Sequence, residues 1–242
     1  LCEAEQYVAW RLTEMSRGEL VAPHGLDELI DRIQNDQGIV YAPQQREAVA
    51  LAATSQVMLL TGGPGTGKTT SLRGVLALFD QLGLETALAA PTGRAAKRLG
   101  ELCGAEGYTI HRLLETQYDP RSGKLIFAHD ESDPLKADAV IVDETSMVDI
   151  VLMQGLLAAL RDDCRLILVG DPDQLPSVGP GNLFSDLIRS GAIPMVRLTE
   201  IFRQAAESAI VRNAHGVNRG QLPDLKDREH DFFFLRRKDP AR

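Results

Sequence analysis

Cysteine is scarce: Cys2, Cys103 and Cys164 are the only three in 242 residues, far apart and without metal-ligand spacing. That excludes a disulfide-stapled scaffold and a thiolate metal cluster, and it predicts a reduced, cytoplasmic setting. The five histidines are scattered with no i, i+4 pairing, so a histidine metal site is not expected. No apolar run approaches the roughly 20 residues that a membrane span needs, and the first residues carry no signal-peptide pattern. Aromatics make up only 5% of the chain, which leaves few side chains for stacking on nucleobases. Basic residues are also in deficit, 26 Lys and Arg against 34 Asp and Glu, for a net charge of −8. A surface coated in positive charge is excluded, although a local basic face can still bind phosphates. Repeats and low-complexity tracts are absent.

What the chain does have is Gly62-Gly-Pro-Gly-Thr-Gly-Lys-Thr-Thr70, directly after the apolar run Gln56–Thr61 and before a helix-patterned stretch. A strand, a glycine turn and a helix opening on Lys-Thr form a loop that grips phosphate. The glycines (Gly62, Gly63, Gly65, Gly67), with Pro64 and Thr66 between them, let backbone N–H groups crowd round a polyphosphate. The helix N-terminus adds partial positive charge. Lys68 can reach the β- and γ-phosphates, and the Thr69 hydroxyl, followed by Thr70, can sit on Mg²⁺.

The length suits one large domain, or one and a half small ones. Before Gly38, apolar spacing at Val8, Leu12 and Met15, then at Leu26, Leu29, Ile30 and Ile33, predicts helices. From Gln56 on, strands and helices alternate. Strands are predicted at Gln56–Thr61, Glu85–Ala90, Asp138–Val142, Arg165–Val169 and Met195–Leu198. Helical patterns fill Lys68–Leu82, Gly93–Leu102, Met147–Leu160 and Asn182–Ser190. The strands are nearly continuous in Val, Ile, Leu and Ala, as in a parallel sheet covered on both faces. This predicts a doubly wound α/β domain of the P-loop type, with ligands beyond the carboxyl ends of the strands. Turn chemistry at Asp119-Pro-Arg-Ser-Gly123, followed by Lys124–Phe127, predicts a surface hairpin.

Two further motifs follow apolar strands. Val140-Ile-Val-Asp143-Glu144 ends in adjacent carboxylates. After a phosphate loop, Asp143 would hold Mg²⁺ and Glu144 would orient and deprotonate the attacking water, although such a pair also serves as a helix cap. Gly170-Asp-Pro-Asp-Gln174 presents a glutamine suited to sensing a γ-phosphate, inside a Pro- and Gly-rich loop that also holds its own shape. In Gly93–Leu102, Arg94, Lys97 and Arg98 fall on one face. With Thr92 and Arg112 they make a candidate track for the phosphates of a strand, or equally a solvated cationic face.

Together these residues resemble the RecD/TraA-type branch of superfamily 1 helicases (exodeoxyribonuclease V alpha-subunit-like), in the family's order from about Ala42 onward. The order runs GGPGTGKTT, Ala90-Pro-Thr-Gly-Arg-Ala-Ala-Lys-Arg-Leu99, Thr109-Ile-His-Arg-Leu-Leu114, VDETSMVD, GDPDQLPSVGPG and Leu198-Thr-Glu-Ile-Phe-Arg203-Gln204. The resemblance implies a RecA-like lobe of a two-lobed bacterial DNA motor that hydrolyses ATP with Mg²⁺ and moves along single-stranded DNA, 5′ to 3′ in the best-known members. It implies that Gln45 reads the adenine edge and that Lys68, Thr69, Asp143 and Glu144 form the hydrolytic centre. It makes Gln174 the γ-phosphate relay and Arg203 a cis arginine finger; a lone arginine at a helix end is the plainer alternative for Arg203. Pro91, Thr92, Gly93 and the His111-Arg112 neighbourhood would lie near DNA.

On this basis residues 1–40 are expected to be a helical segment, 41–200 the first lobe, and 201–242 the start of a second lobe that continues beyond Arg242. Expected partners are that second lobe, single-stranded DNA and other recombination subunits. The chain alone would bind Mg-ATP weakly and hydrolyse it poorly. A P-loop kinase or GTPase is the rival class, but no Asn-Lys-x-Asp guanine reader is present. A binding module that no longer turns over is the other rival.

Overall fold

A computed structural model of the chain describes residues 1–18, 20–121, 124–202, 207–225 and 231–235. Arg203 lies outside the described residues. The centre is a six-stranded, all-parallel sheet: β1 (Val57–Gly62), β2 (Thr86–Ala90), β3 (Gly107–Thr109), β6 (Ala139–Val142), β7 (Arg165–Gly170) and β8 (Met195–Leu198), in the order β3-β2-β6-β7-β1-β8. β4 (Gln117–Asp119) and β5 (Lys124–Ile126) pair antiparallel, as the turn chemistry predicts.

The strand sequences explain the two-sided cover. Side chains alternate across a strand, and Val57 and Leu59 of β1 pack with Val140, Val142, Leu166 and Leu168 on one face. Met58 and Leu60 pack with Ile141, Ile167 and Val169 on the other. Every one of these residues is buried, so a continuous apolar run is what the position requires.

One face is covered by α1 (Cys2–Arg17), α6 (Ile110–Leu113), α7 (Ile150–Ala158) and α8 (Leu183–Ser190). α1 buries Ala4, Val8, Leu12 and Met15, one stripe at helical spacing, directly into this core. The opposite face is covered by α2 (Leu26–Gln37), α3 (Pro43–Thr54), α4 (Lys68–Gln81) and α5 (Gly93–Cys103).

Local details differ from expectation. The pattern Met147–Leu160 predicts one helix, but Thr145–Met147 is a 3-10 turn and α7 starts only at Ile150. Asp149 sets that start, because its Oδ1 accepts N–H bonds from Val151 and Leu152 at 2.9 and 2.8 Å. α3, β3 and a last helix, α9 (Ala209–Asn218), were not expected from the sequence. No helix among the described residues is long and apolar enough to cross a membrane.

Candidate active site

The strand order puts the motifs side by side. β7 inserts between β1 and β6, so the phosphate loop, the Asp171–Gln174 turn and the acid pair leave three adjacent strands at the same, carboxyl end. At about 4.8 Å per strand, the loop and the acid pair are separated by ~10 Å across the sheet. Between them opens a cleft of about 800 Å³ whose lining includes Lys68, Thr69, Asp143, Glu144 and Gln174.

The loop is built by backbone conformations that side chains resist. Gly65 and Gly67 have φ of 73° and 84°, in the left-handed region. A Cβ on Gly67 would stand 2.3 Å from Gln45 Nε2 and 2.8 Å from Phe202 Cε2. Lys68 is the first residue of α4, and its Nζ donates to the carbonyls of Gly62 (2.5 Å) and Gly63 (3.2 Å). Thr66 Oγ1 donates to Gly63 O at 2.8 Å and closes the turn. The ammonium therefore stays at the mouth of the loop, where anionic oxygens would exchange for carbonyls.

At the end of β6, the Glu144 N–H donates to Asp143 Oδ1 at 2.8 Å. Glu144 has φ of 54°, a conformation that costs an ordinary residue about 1–2 kcal/mol. Strain of this kind concentrates at functional sites, and here it accompanies a carboxylate on the cleft wall. Burial pushes the Asp143 carboxyl up from its ordinary value, against the lowering influence of the Glu144 N–H, Lys68 and Arg98. Burial, and then the Asp143 charge, push Glu144 up, while Lys68 and Arg98 draw it down.

Gln45 is bonded within the protein at both ends of its amide. It is 2% exposed, its Oε1 accepts from Ala42 N at 3.0 Å, and its Nε2 donates to Gly67 O at 3.4 Å. Both ends of the amide are committed to the protein, so the side chain props the phosphate loop from beneath. Reading an adenine edge would require those bonds to be exchanged.

The basic face of α5 divides. Successive helical residues point about 100° apart, and the structure turns Arg98 toward the nucleotide-sized cleft while Lys97 points away from it. Lys97 pairs with Glu101 at 3.8 Å and shares a groove of about 650 Å³ with Gly93, Tyr108 and Arg112. Arg112 stacks over the Tyr108 ring at 5.1 Å, and His111 lines the adjoining cavity. Thr92 caps α5, accepting from Ala95 N at 3.3 Å, with Pro91 just ahead of it and Arg94 exposed as the second residue of the helix. These candidate nucleic-acid residues thus cluster at the β2–β3 end of the sheet, beside the cleft.

Two contacts were not read from the sequence. Phe202 lines the cleft and its N–H donates to Gly65 O at 3.3 Å. His215 of α9 lies over the loop, with Nε2 3.1 Å from Pro64 O and Cε1 2.6 Å from where a Gly63 Cβ would be. Phe202 adjoins Arg203 in a motif already noted, but a contact across 151 residues, as for His215, has no local signal.

Comparison with known proteins agrees with this picture. The sequence profile of the AAA domain family matches residues 40–233. The chain is 43% identical over 185 residues to the ATP-dependent RecD2 DNA helicase of Deinococcus radiodurans, covering 76% of this chain and 25% of that protein. It is 42% identical over 227 residues to the RecBCD enzyme subunit RecD of Mycobacterium tuberculosis (strain H37Rv), covering 82% of this chain and 39% of that one. The chain therefore spans roughly a quarter to two fifths of the length of these relatives. Among solved structures, the Pif1 helicase from Candida albicans superposes with a TM-score of 0.54 at 22% identity, over 79% of this chain and 50% of that one. The Pif1 helicase from Bacteroides in complex with ADP-AlF3 and ssDNA gives 0.52 at 23%, over 76% of this chain and 47% of that one. At such identity the likeness is one of fold.

Proposed function

The chain belongs to the AAA domain family, whose members bind nucleotides, and from that premise we propose that it is the ATP-hydrolysing lobe of a DNA helicase. One observation carries this proposal: three adjacent strands deliver Lys68, the Asp143–Glu144 pair and Gln174 to a single cleft. Phosphoryl transfer needs little beyond positioning and charge stabilisation, and these side chains supply both.

In this reading the glycine loop and Lys68 hold the β- and γ-phosphates. Thr69 and Asp143 would hold Mg²⁺, since a hydroxyl and one carboxylate beside substrate phosphates are the oxygen donors this ion takes. When bound, Mg²⁺ neutralises charge on the transferred group. Glu144, strained into the cleft, orients a water and accepts its proton. Gln174 reports the terminal phosphate. Arg203, outside the described residues, would act as a cis arginine finger.

Single-stranded DNA would run over Pro91, Thr92, Gly93, Arg94 and Lys97, on past His111 and Arg112, where phosphates meet cations and Tyr108 offers a ring. Residues 41–200 would form the first motor lobe and 201–242 the lead into a second, with movement 5′ to 3′ and other recombination subunits as partners. In the intact protein, saturating single-stranded DNA should accelerate phosphate release, and Lys68→Ala should lower that rate by about 10³-fold or more. A phosphate-release rate indifferent to DNA would point to a kinase-like enzyme; unchanged turnover in the variant would move the site elsewhere.

A further inference from the structure

We propose that Arg98 belongs to the nucleotide site, where it contacts the terminal phosphate of a bound nucleoside triphosphate from the wall opposite Lys68 and links that phosphate to the DNA-facing end of α5. The inference rests on the ATPase reading above and adds a ligand-contacting residue to it.

α5 packs Ala96 and Leu99 into the protein, and its residues Ala95, Arg98 and Leu102 form one wall of the cleft that the phosphate loop closes on the other side. Among the described residues Arg98 makes no ion pair within 4 Å, whereas its neighbour Lys97 is paired with Glu101 and Arg112 with Glu106. Arg98 is exposed, and its guanidinium shares the cleft with the half-buried acid pair rather than with a carboxylate partner on its own helix. Its charge reaches Asp143 and Glu144 and opposes the upward push of burial on both, as does Lys68 from the other side. Two cations therefore flank one acid pair.

The chemistry then selects the ligand. A guanidinium is planar, permanently charged and forked, and it fits two oxygens of one phosphoryl group. Lys68, set in the loop, covers the phosphates nearest the backbone cradle. Arg98 lines the cleft from α5, and in this proposal it meets the outermost group of a triphosphate, which a diphosphate lacks. Arg98 thus distinguishes triphosphate from diphosphate.

The helix supplies the link. α5 starts immediately after Pro91 and Thr92, and Thr92 caps it. Arg98 stands about 9 Å along the axis from Thr92, less than two turns of a continuous hydrogen-bonded helix. A strand seated at that N-terminus moves Arg98 as part of one rigid body. DNA occupancy and terminal-phosphate contact are then coupled through a single short element, and by reciprocity the triphosphate changes DNA affinity by the same factor.

The test uses the full-length protein with Arg98→Ala, Arg98→Lys and, run in parallel, Lys68→Ala and Arg94→Ala. Affinities for a fluorescent ADP and a fluorescent non-hydrolysable ATP analogue are measured with and without oligo-dT, and DNA affinity is measured against salt. Arg98→Ala should weaken the triphosphate analogue about 10- to 100-fold, the worth of one charge-assisted contact. It should change ADP by less than about threefold and leave nucleotide-free DNA binding within about twofold, and Arg98→Lys should restore part of the loss. Arg94→Ala should do the reverse, weakening DNA and lowering the salt slope by about one. The proposal is overturned if Arg98→Ala behaves like Arg94→Ala, or if it weakens ATP analogue and ADP equally. Lys68→Ala separates the levels: if it too leaves triphosphate binding intact, the ATPase reading itself fails. Should Arg98→Ala not fold, the tri- to diphosphate ratio of Arg98→Lys decides, and a ratio unchanged from wild type rejects the assignment.

Discussion

Glu144→Gln is expected to lower DNA-stimulated ATP hydrolysis by about 10²–10⁴-fold, the usual worth of a general base, while ATP affinity holds within a few-fold. The same change is expected to stabilise the protein in metal-free buffer at neutral pH. Burial and the neighbouring Asp143 charge raise the Glu144 carboxyl above its ordinary value, outweighing the opposing pull of Lys68 and Arg98. A carboxyl raised by folding contributes stability that is fully present below its unfolded value, near pH 4, and is lost as pH rises through the folded value. At pH 7 the wild type thus carries a charge that folding disfavours, and the amide removes it. In EDTA at pH 7 the variant should melt above wild type, and the gap should close toward pH 4. A variant that melts lower at both pH values would mean that Glu144 is held by structural partners rather than strained toward a reaction.

The second large effect is at Gly67. Its Cβ would strike Gln45 Nε2 at 2.3 Å and Phe202 Cε2 at 2.8 Å, at a φ of +84°. Gly67→Ala must displace the prop beneath the loop as well as take up left-handed strain, so a loss of roughly 2–4 kcal/mol is expected, with nucleotide affinity down more than about 100-fold. Gly83 is the natural comparison, because its φ is +69° and nothing lies within 4 Å of its would-be Cβ. Gly83→Ala should cost only the strain, about 1–2 kcal/mol, and leave nucleotide binding alone. Denaturant melts and nucleotide titrations on both variants isolate the clash. Equal losses at the two glycines would show that the packing of Gln45 against the loop is unimportant.

Most of the sheet could be read from the sequence because its strands are buried on both faces. Val57–Leu60, Ala139–Val142 and Leu166–Val169 are apolar at every position, and only a parallel sheet with two helical layers accepts such runs. β3 escaped because Gly107–Thr109 is a three-residue edge with one neighbour and no apolar run. α3 escaped because its buried stripe is mostly alanine and its N-cap is Ala42 rather than a capping side chain. The start of α7 is not legible because apolar periodicity says nothing about Asp149 taking the first N–H groups.

The site divides in the same way. Loop, acid pair and Gln174 are local signals: each follows a strand, and strands in such a sheet all aim their carboxyl ends one way. Side-chain direction is a tertiary property. The sequence places Arg94, Lys97 and Arg98 on one face, yet a turn of about 100° between neighbours sends Lys97 to a groove and Arg98 to the cleft. Gln45 could be recognised as part of a motif, but its two bonds to Ala42 and Gly67 depend on how α3 packs under the loop.

The most direct test is a crystal structure of the chain with Mg²⁺ and a non-hydrolysable ATP analogue. The account predicts phosphate oxygens within about 3 Å of Lys68 Nζ, with the ion bound between Thr69 and Asp143. Phosphates seated anywhere else, with Lys68 still bonded to Gly62 and Gly63 and the acid pair bare of metal, would contradict it.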